Sequence, residues 1–168
     1  MTSEALEILM EPVTPGHHDY LSAVAHARPE LWPRVCRDRV PNDGELPERL
    51  WSDAVGLYLV MTADRRPVGV VGLYNWQQIS GTVWCESVAP GGGADADLVE
   101  HALFTMLDNN WSRLRLRRAY LTAADYQPAP SSNPYWKVEK QGQLTDAVYW
   151  DGTYWDQGTY AISNTRSL

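Results

Sequence analysis

A cysteine and a glutamate stand side by side at Cys85-Glu86, which are residue types suited to a nucleophile and a general base. Both fall in a run, 82–88, whose composition predicts a β-strand. Alternation along a strand points the two side chains to opposite faces, so they cannot work as one nucleophile–base unit. We therefore expect Cys85 to be a buried, inert thiol and keep Glu86 as the candidate for acid–base chemistry.

Composition limits the class of protein. The chain has 168 residues, enough for one domain over 1–168, and a net charge of −7, which disfavours a nucleic-acid binder. It shows no apolar run long enough for a membrane span, no signal peptide and two cysteines, so a cytoplasmic protein is expected. Eight Trp and nine Tyr suit pocket walls and contact surfaces as well as cores. No metal is expected, because the histidines lack the spacing of ligands on one helix face: His17, His18 and His26.

The order of predicted elements is a strand, helices, a three-strand meander, a helix and further strands. The strands are expected at 5–10, 57–62, 68–76, 82–88, 119–122, 146–150 and 153–162. Helices are expected at 15–28, 46–53, from about 97 onward and at 134–141. Asp151-Gly152 is a strong hairpin signal, and the strand at 119–122 is expected to pair in parallel with 82–88 because a helix connects them. The sequence thus predicts an α+β fold with a mixed central sheet.

Four segments in this order resemble the GNAT superfamily of N-acyltransferases. Residues 68–73 (VGVVGL) resemble its third strand, and Val88-Ala89-Pro90 resembles the end of its fourth. Residues 139–142 (EKQG) resemble its "EKlGF" run without the phenylalanine, and 148–156 (VYWDGTYWD) resemble the tail of the branch that acetylates ribosomal-protein N-termini. The resemblance covers nearly the whole chain. It implies a mostly antiparallel sheet flanked by helices, with a V-shaped splay between the fourth and fifth strands.

The resemblance also implies transfer of an acyl group from a pantetheine thioester to an amine. In the family the pantetheine arm lies in the splay, and the pyrophosphate binds the N-terminus of the next helix, where backbone N–H groups are unpaired. The residues placed there in this chain are Ser87, Val88, Ala89, Gly91, Gly92, Gly93, Ala94 and Ala96. The loop departs from the family's Q/R-x-x-G-x-G/A pattern, since its basic residue is replaced by Gly93 and its central glycine by Ala96.

Two aspartates, Asp95 and Asp97, enter the first turn of that helix. They complement the helix dipole, but each would repel a pyrophosphate by roughly 2 kcal/mol at about 7 Å. No Lys or Arg lies between 91 and 110 to offset them. Two hypotheses for the donor follow: an acyl group on the phosphopantetheine arm of an acyl carrier protein, or ordinary acyl-CoA held by a shifted set of glycine N–H groups.

The implied catalysis needs a base for the amine and an acid for the thiolate. Glu86 is the expected base, directly or through a water. In the family a tyrosine protonates the thiolate, and its position is occupied by Val138 in this chain. Tyr135, one turn earlier on the predicted helix, is the expected substitute. Ser131 or Asn133 falls where relatives carry a donor-contacting asparagine, and Lys137 lies beside the expected arm.

The acceptor pocket is expected to be aromatic and acidic, with walls formed by the first helices and neighbouring strands. Its expected residues are His18, His26, Trp32, Trp76, Gln78 and Trp84, with the carboxylates of Glu45, Glu48 and Asp53 available to attract amines. The main hypothesis is an N-acyltransferase that takes its acyl group from a carrier protein. Natural-product tailoring is one role that such an enzyme would fit. The alternatives are an acetyl-CoA-dependent N-acetyltransferase of a peptide N-terminus or small amine, and a non-catalytic binding protein. A homodimer through the aromatic final hairpin is also open.

Overall fold

The computed structural model describes residues 7–36 and 39–167. Its elements in chain order are β1 (Ile8–Pro12), α1 (His18–Ala27), α2 (Leu46–Trp51), β2 (Ala54–Thr62), β3 (Pro67–Gln77), β4 (Thr82–Val88), α3 (Gly93–Trp111), β5 (Arg118–Ala124), β6 (Trp136–Trp150) and β7 (Thr153–Asn164). Single 3-10 turns occur at Pro15–His17, Pro29–Leu31 and Thr165–Ser167. The strand predicted over 5–10 lies partly outside the described residues.

The strands form one seven-stranded sheet in the order β1-β2-β3-β4-β5-β7-β6. All neighbours are antiparallel except β4 and β5, which are parallel because α3 carries the chain back across the sheet between them. Their pairing ends at Trp84↔Tyr120. Beyond that point β5 continues to pair with β7 on its other side, and the second half of β4 has no partner towards β5. The predicted mixed fold and its splay are confirmed.

Helices cover both faces of this sheet, and the strand alternation divides the core accordingly. The α3 face buries one set of apolar side chains, which includes Val83, Cys85, Leu103, Met106 and Leu107. The opposite face packs against α1 and α2 through a second set, which includes Leu21, Leu50, Leu57, Val70 and Val88. Glu86 alternates with Cys85 along β4, so it lies on the α1–α2 face.

The prediction of a helix at 134–141 is wrong, because the long strand β6 begins at Trp136. β6 and β7 pair from Trp136↔Asn164 to Trp150↔Thr153. This long-range pairing overrides the local helical pattern, as cross-strand partners commonly do. The expected hairpin turn is present: Asp151 and Gly152 have φ of 50° and 76°, the left-handed backbone that such a tight turn requires.

Aromatic packing fixes the start of β6. Trp136 is buried and its ring lies 5.9 Å from that of Phe104 and 5.0 Å from that of Trp111, both on α3. Between β5 and β6 the chain runs as an irregular, proline-rich segment, 125–135, before β6 takes the place of the predicted helix. This segment borders the region of the splay.

The close approach of β3 to the end of β4 depends on a glycine. A Cβ on Gly69 would lie 2.2 Å from the carbonyl oxygen of Val88 and 2.6 Å from Cγ2 of Val99. We expect Gly69→Ala to lower the free energy of unfolding by about 3 kcal/mol, since overpacking forces the strand and α3 apart. Urea unfolding followed by far-UV circular dichroism measures this. Gly142→Ala on β6 is the matched control, because a Cβ there meets nothing within 4 Å, and equal losses in the two variants would contradict the prediction.

Candidate active site

A cleft opens where β4 and β5 diverge. It consists of a cavity of about 320 Å³ around Glu86 and a second of about 430 Å³ at the first turn of α3. The two are contiguous, since both are lined by Leu31, Ser87, Gln127, Pro128 and Pro130. Both volumes fall in the range of small-molecule sites.

Glu86 is held in the cleft by a bidentate ion pair with Arg34. Nε of Arg34 donates to Oε2 at 2.9 Å and Nη2 donates to Oε1 at 2.6 Å. The two side chains are only 14% and 10% exposed. Burial alone would lower the pKa of Arg34, but the hydrogen bond and charge of Glu86 outweigh it and raise that pKa above its ordinary value.

Arg34 also binds carbonyl oxygens at the end of α2. Its two terminal nitrogens donate to the carbonyl oxygens of Arg49 at 3.0 Å, Leu50 at 3.1 Å and Ser52 at 3.3 Å. With the bonds to Glu86, these use all five guanidinium donors. The guanidinium stacks over the ring of Tyr74 at 5.0 Å, so its position is fixed on every side.

A glycine makes room for the Glu86 carboxylate. Gly72 on β3 is the direct cross-strand neighbour of Glu86, and a Cβ there would lie 3.1 Å from its Oε1 and 2.9 Å from Cδ1 of Leu57. This glycine belongs to the VGVVGL segment that carried the sequence resemblance. Its second glycine leaves the space in which the ion pair forms.

The other end of the cleft presents free backbone donors. α3 begins at Gly93, earlier than the sequence predicted, and Gly92 and Gly93 have φ of 62° and 51°. Among the described residues, no acceptor is found for the N–H groups of Gly93 and Ala94. This is the arrangement that binds phosphate at a helix start.

The expectation that nothing offsets the aspartates of this loop is wrong for one of them, Asp95. Arg66, on the turn between β2 and β3, makes a bidentate pair with Asp95 at 2.9 Å and 3.0 Å. The hydrogen bond with Arg66 lowers the pKa of Asp95, so the pair stays charged and mutually neutralised. Asp97 lines the cavity, and so does Arg28. The arginines come from sequence-distant elements, which is why a scan of residues 91–110 missed them.

Arg28 is fixed at the rim of the α3 end of the cleft. Its Nε donates to Oε1 of Glu30 at 2.5 Å, and Nη1 donates to the carbonyl oxygen of Pro90 at 3.0 Å. Its side chain is 44% exposed, whereas that of Glu30 is 2% exposed. A buried carboxylate therefore holds an accessible guanidinium beside the free N–H groups of α3.

Of the eleven residues predicted to bind the acyl donor, six line the cleft and five do not. The cleft is lined by Ser87, Ala89, Gly92, Gly93, Ala96 and Ser131. The remaining five are not among its lining residues: Val88, Gly91, Ala94, Asn133 and Lys137. Val88 is buried in the core, Asn133 accepts backbone N–H bonds from Tyr135 and Trp136, and Lys137 pairs with Glu139 at 2.8 Å.

Tyr135 lies away from the cleft, because the helix that would have carried it there does not form. It is 55% exposed and stacks on Arg166 at 4.6 Å. Tyr126 lines the α3 end of the cleft instead and donates its hydroxyl to the carbonyl oxygen of Glu30 at 3.0 Å. Burial, with the nearby charge of Glu30, raises the pKa of Tyr126 to about 12. No sequence pattern indicated Tyr126, because it lies in an irregular segment.

Of the predicted acceptor residues, the structure brings only Trp32 to the cleft. Trp32 is fully buried, and its indole Nε1 has no hydrogen-bond partner. The others lie elsewhere: His18 and His26 on α1, and Trp76, Gln78 and Trp84 towards the β3–β4 hairpin, opposite the end of β4 that carries the cleft. Nδ1 of His26 contacts the carbonyl of Ser22 at 2.8 Å, and Trp84 packs on Tyr120 with ring centroids 5.6 Å apart.

Three carboxylates do meet beside the cleft. Glu45, Glu48 and Asp53 line a cavity of about 490 Å³ that also contacts Arg34 and Tyr74, two residues of the Glu86 cavity. Glu45 is itself paired with Arg39 at 2.5 Å. Arg49 also lines this cavity, so Glu48 and Asp53 leave only a small excess of negative charge. The cavity therefore forms a weakly acidic vestibule next to the Glu86 site, called the acidic vestibule below.

Cys85 lies as the strand alternation predicts, on the face opposite Glu86. It is 1% exposed, and burial, reinforced by the charge of Glu86, raises the pKa of its thiol. Over residues 7–36 and 39–167, no group of three or more His, Cys, Asp and Glu side chains is placed to hold a metal ion. Within the same residues, no helix is long and apolar enough to cross a membrane.

Known proteins resemble this chain in fold rather than in sequence. No family model matches the sequence, and no curated protein matches it. Among solved structures, the chain is similar to the spermidine N-acetyltransferase from Vibrio cholerae in complex with CoA and spermine, at 16% identity over 94% of this chain and 96% of that one, with a TM-score of 0.73. It is also similar to a probable acetyltransferase, at 13% identity over 98% and 96% of the chains, with a TM-score of 0.71. The chain therefore has the GNAT fold.

The Arg34–Glu86 pair should dominate local stability, because removing one partner leaves the other charge buried. We expect Arg34→Met to lower the free energy of unfolding by about 3 kcal/mol. The double variant Arg34→Met/Glu86→Leu should lose less than Arg34→Met alone, and urea titration measures both. The exposed pair of Arg65 and Glu11 is the control, since Arg65→Met should cost under about 1 kcal/mol. Equal losses for Arg34→Met and Arg65→Met would count against a structural role for the pair.

Proposed function

We propose that this protein is an N-acyltransferase that moves an acyl group from a pantetheine thioester, acyl-CoA in the first instance, to a primary amine. The observation that carries this proposal is the contiguous cleft from the first turn of α3 to Glu86, formed where β4 and β5 diverge. A long, thin donor can lie along it, and its reactive end would then reach the Glu86 cavity.

The donor would be held by backbone along its length and by charge at its far end. β4 has an unpaired edge beyond Trp84, which can exchange hydrogen bonds with the amides of a pantetheine arm. The N–H group of Gly93 and the guanidinium of Arg28, which both line the cleft, would bind the pyrophosphate.

We favour acyl-CoA over an acyl carrier protein as the donor. The carrier hypothesis, and with it a role in natural-product tailoring, rested on two uncompensated aspartates, and one of them, Asp95, is paired with Arg66. A solved structure with this fold contains CoA, which supports the same choice. The position of Arg28 supplies a cation that the loop itself lacks.

Glu86 is our proposed base. A carboxylate has about four lone-pair positions, and Arg34 uses only two of them, so Glu86 can still accept a proton from the amine or from a bridging water. The cationic amine first gives one proton to Glu86, which leaves its nitrogen uncharged. That nitrogen attacks the thioester carbonyl carbon, the carbon–sulfur bond breaks, and the departing thiolate takes the second proton that the nitrogen releases. Tyr126 has no part in this step, because it lines the α3 end of the cleft and donates its hydroxyl to the carbonyl oxygen of Glu30.

The acceptor we propose is a small primary amine that is cationic in solution. The acidic vestibule would raise its local concentration next to the Glu86 cavity. The relative named as a spermidine N-acetyltransferase, solved with spermine, supports a small-molecule amine over a peptide N-terminus.

An acylation assay tests the activity and its base together. Wild-type protein, acetyl-CoA and a panel of primary amines are followed by mass spectrometry and by thiol release. We expect an acetylated amine, and a loss of about 100-fold or more in kcat for Glu86→Gln, because the amide cannot accept the proton. Glu139→Gln, an exposed carboxylate on β6, is the control and should keep the wild-type rate. The absence of any acylated amine from the wild-type protein would reject the proposal.

The choice of donor has a separate test. We expect Arg28→Gln to raise KM for acetyl-CoA about tenfold, equivalent to about 1.4 kcal/mol, because one cation at the pyrophosphate is lost. With acetyl-pantetheine, which has no phosphate, the KM of the variant should match that of the wild type. Arg166→Gln, an exposed arginine paired with Asp108, is the control. Equal changes with both donors would show that Arg28 does not contact the pyrophosphate.

A further inference from the structure

An ion pair links the first turn of α3 to the turn between β2 and β3. Arg66 donates from Nη1 to Oδ2 of Asp95 at 3.0 Å and from Nη2 to Oδ1 at 2.9 Å, so it engages both carboxylate oxygens. The two side chains are 56% and 22% exposed. An exposed pair contributes little to stability, but this one controls where the Asp95 carboxylate lies.

Asp95 is the third residue of α3, a position from which a side chain can reach back to the first turn of its own helix. In that turn the N–H groups of Gly93 and Ala94 have no acceptor within the part of the chain that the structure describes. An acidic side chain is stabilised next to such groups by hydrogen bonds and by the helix dipole. The Asp95 carboxylate is therefore a competitor, within the chain itself, for the place proposed for the pyrophosphate.

The carboxylate is held against the preceding loop instead. Gly91 leaves the space for it, since a Cβ on Gly91 would lie only 2.7 Å from Oδ2 of Asp95. Both oxygens are bound to the guanidinium of Arg66 in that position. The N–H group of Gly93 consequently stays open towards the cleft, which this residue lines.

We propose that Arg66 is a positioning residue for the acyl donor, which holds Asp95 away from the free N–H groups of α3 and so keeps the phosphate site open. The inference rests on the proposed acyltransferase function and deepens it, because it concerns the site proposed for the pyrophosphate. Arg66 does not line the cleft, so it acts through Asp95 rather than on the donor. The loop can thus carry an aspartate in its first turn and still bind an anion.

Donor binding is measured by calorimetric titration with CoA and with pantetheine, which has no phosphate. We expect Arg66→Gln to weaken CoA binding about fivefold, equivalent to about 1 kcal/mol, because the released carboxylate takes the N–H groups and repels the phosphates. Pantetheine binding should not change. The double variant Arg66→Gln/Asp95→Ala should bind CoA as tightly as the wild type, since it has the net charge of the intact pair and no carboxylate.

Arg65→Gln is the matched control. Arg65 precedes Arg66 on the same turn and pairs with Glu11 at 2.5 Å. This variant removes one positive charge from the turn but leaves Asp95 bound to Arg66. Its dissociation constant for CoA should stay within about twofold of the wild-type value.

The position of Asp95 can also be followed without any ligand, by nuclear magnetic resonance of the amide groups in α3. In Arg66→Gln we expect an amide proton of Gly93 or Ala94 to shift downfield and to exchange with solvent more slowly, because the carboxylate accepts from it. The double variant should return both amides to the wild-type behaviour. A role of Arg66 in stability alone would not produce this reversal.

Three results would overturn the proposal. The first is a wild-type protein that does not bind CoA more tightly than pantetheine. The second is a double variant that binds CoA as weakly as Arg66→Gln, which would mean that Arg66 contacts the donor itself. The third is unchanged amide resonances in Arg66→Gln, as expected if the released carboxylate turned to the hydroxyl of Tyr20, which is buried without a partner among the described residues.

The acyltransferase function is decided separately by the acylation assay. A wild-type protein that acylates no amine would reject that function. The CoA affinities and the amide resonances would still decide whether Arg66 keeps the phosphate site open.

Discussion

The ion pair between Arg34 and Glu86 is the constraint on which the rest of the cleft depends. Arg34 comes from the irregular segment after α1, Glu86 from β4, and the remaining guanidinium donors bind carbonyls at the end of α2. One side chain thus ties three parts of the chain to one point. Because both charges are buried, neither can leave without a large cost in free energy. The Glu86 cavity is therefore built around a rigid, preorganised carboxylate.

The divergence of β4 and β5 supplies the second requirement, an unpaired strand edge beside a helix start. Parallel strands joined by a crossover helix place the end of β4 and the first turn of α3 at the same edge of the sheet. The charged residues at the start of α3 differ from those of the family's usual phosphate-binding loop. Asp95 is neutralised from the β2–β3 turn by Arg66, and Arg28 brings a guanidinium from the end of α1. The cation for a phosphate thus comes from across the cleft rather than from the loop itself.

The irregular segment between β5 and β6 changes how the cleft is enclosed. It brings Tyr126 against Glu30. The long hairpin then extends over the segment after α1, and a cavity of about 500 Å³ lies between them. Glu30 holds Arg28 towards the donor end of the cleft through its Oε1.

The sequence by itself determined the alternating strands, the amphipathic α3, the Asp151-Gly152 turn and the opposite facing of Cys85 and Glu86. These depend on local periodicity and turn chemistry, which neighbouring residues carry. The expected helix at 134–141, and with it the placement of Tyr135, was wrong because pairing with β7 and the burial of Trp136 outweigh local preference. Only the tertiary structure decided the partners of Glu86 and Asp95 and the contacts of Glu30 with Arg28 and Tyr126. Charges and hydrogen bonds act through space, so residues far apart in sequence can form a site that no local pattern reveals.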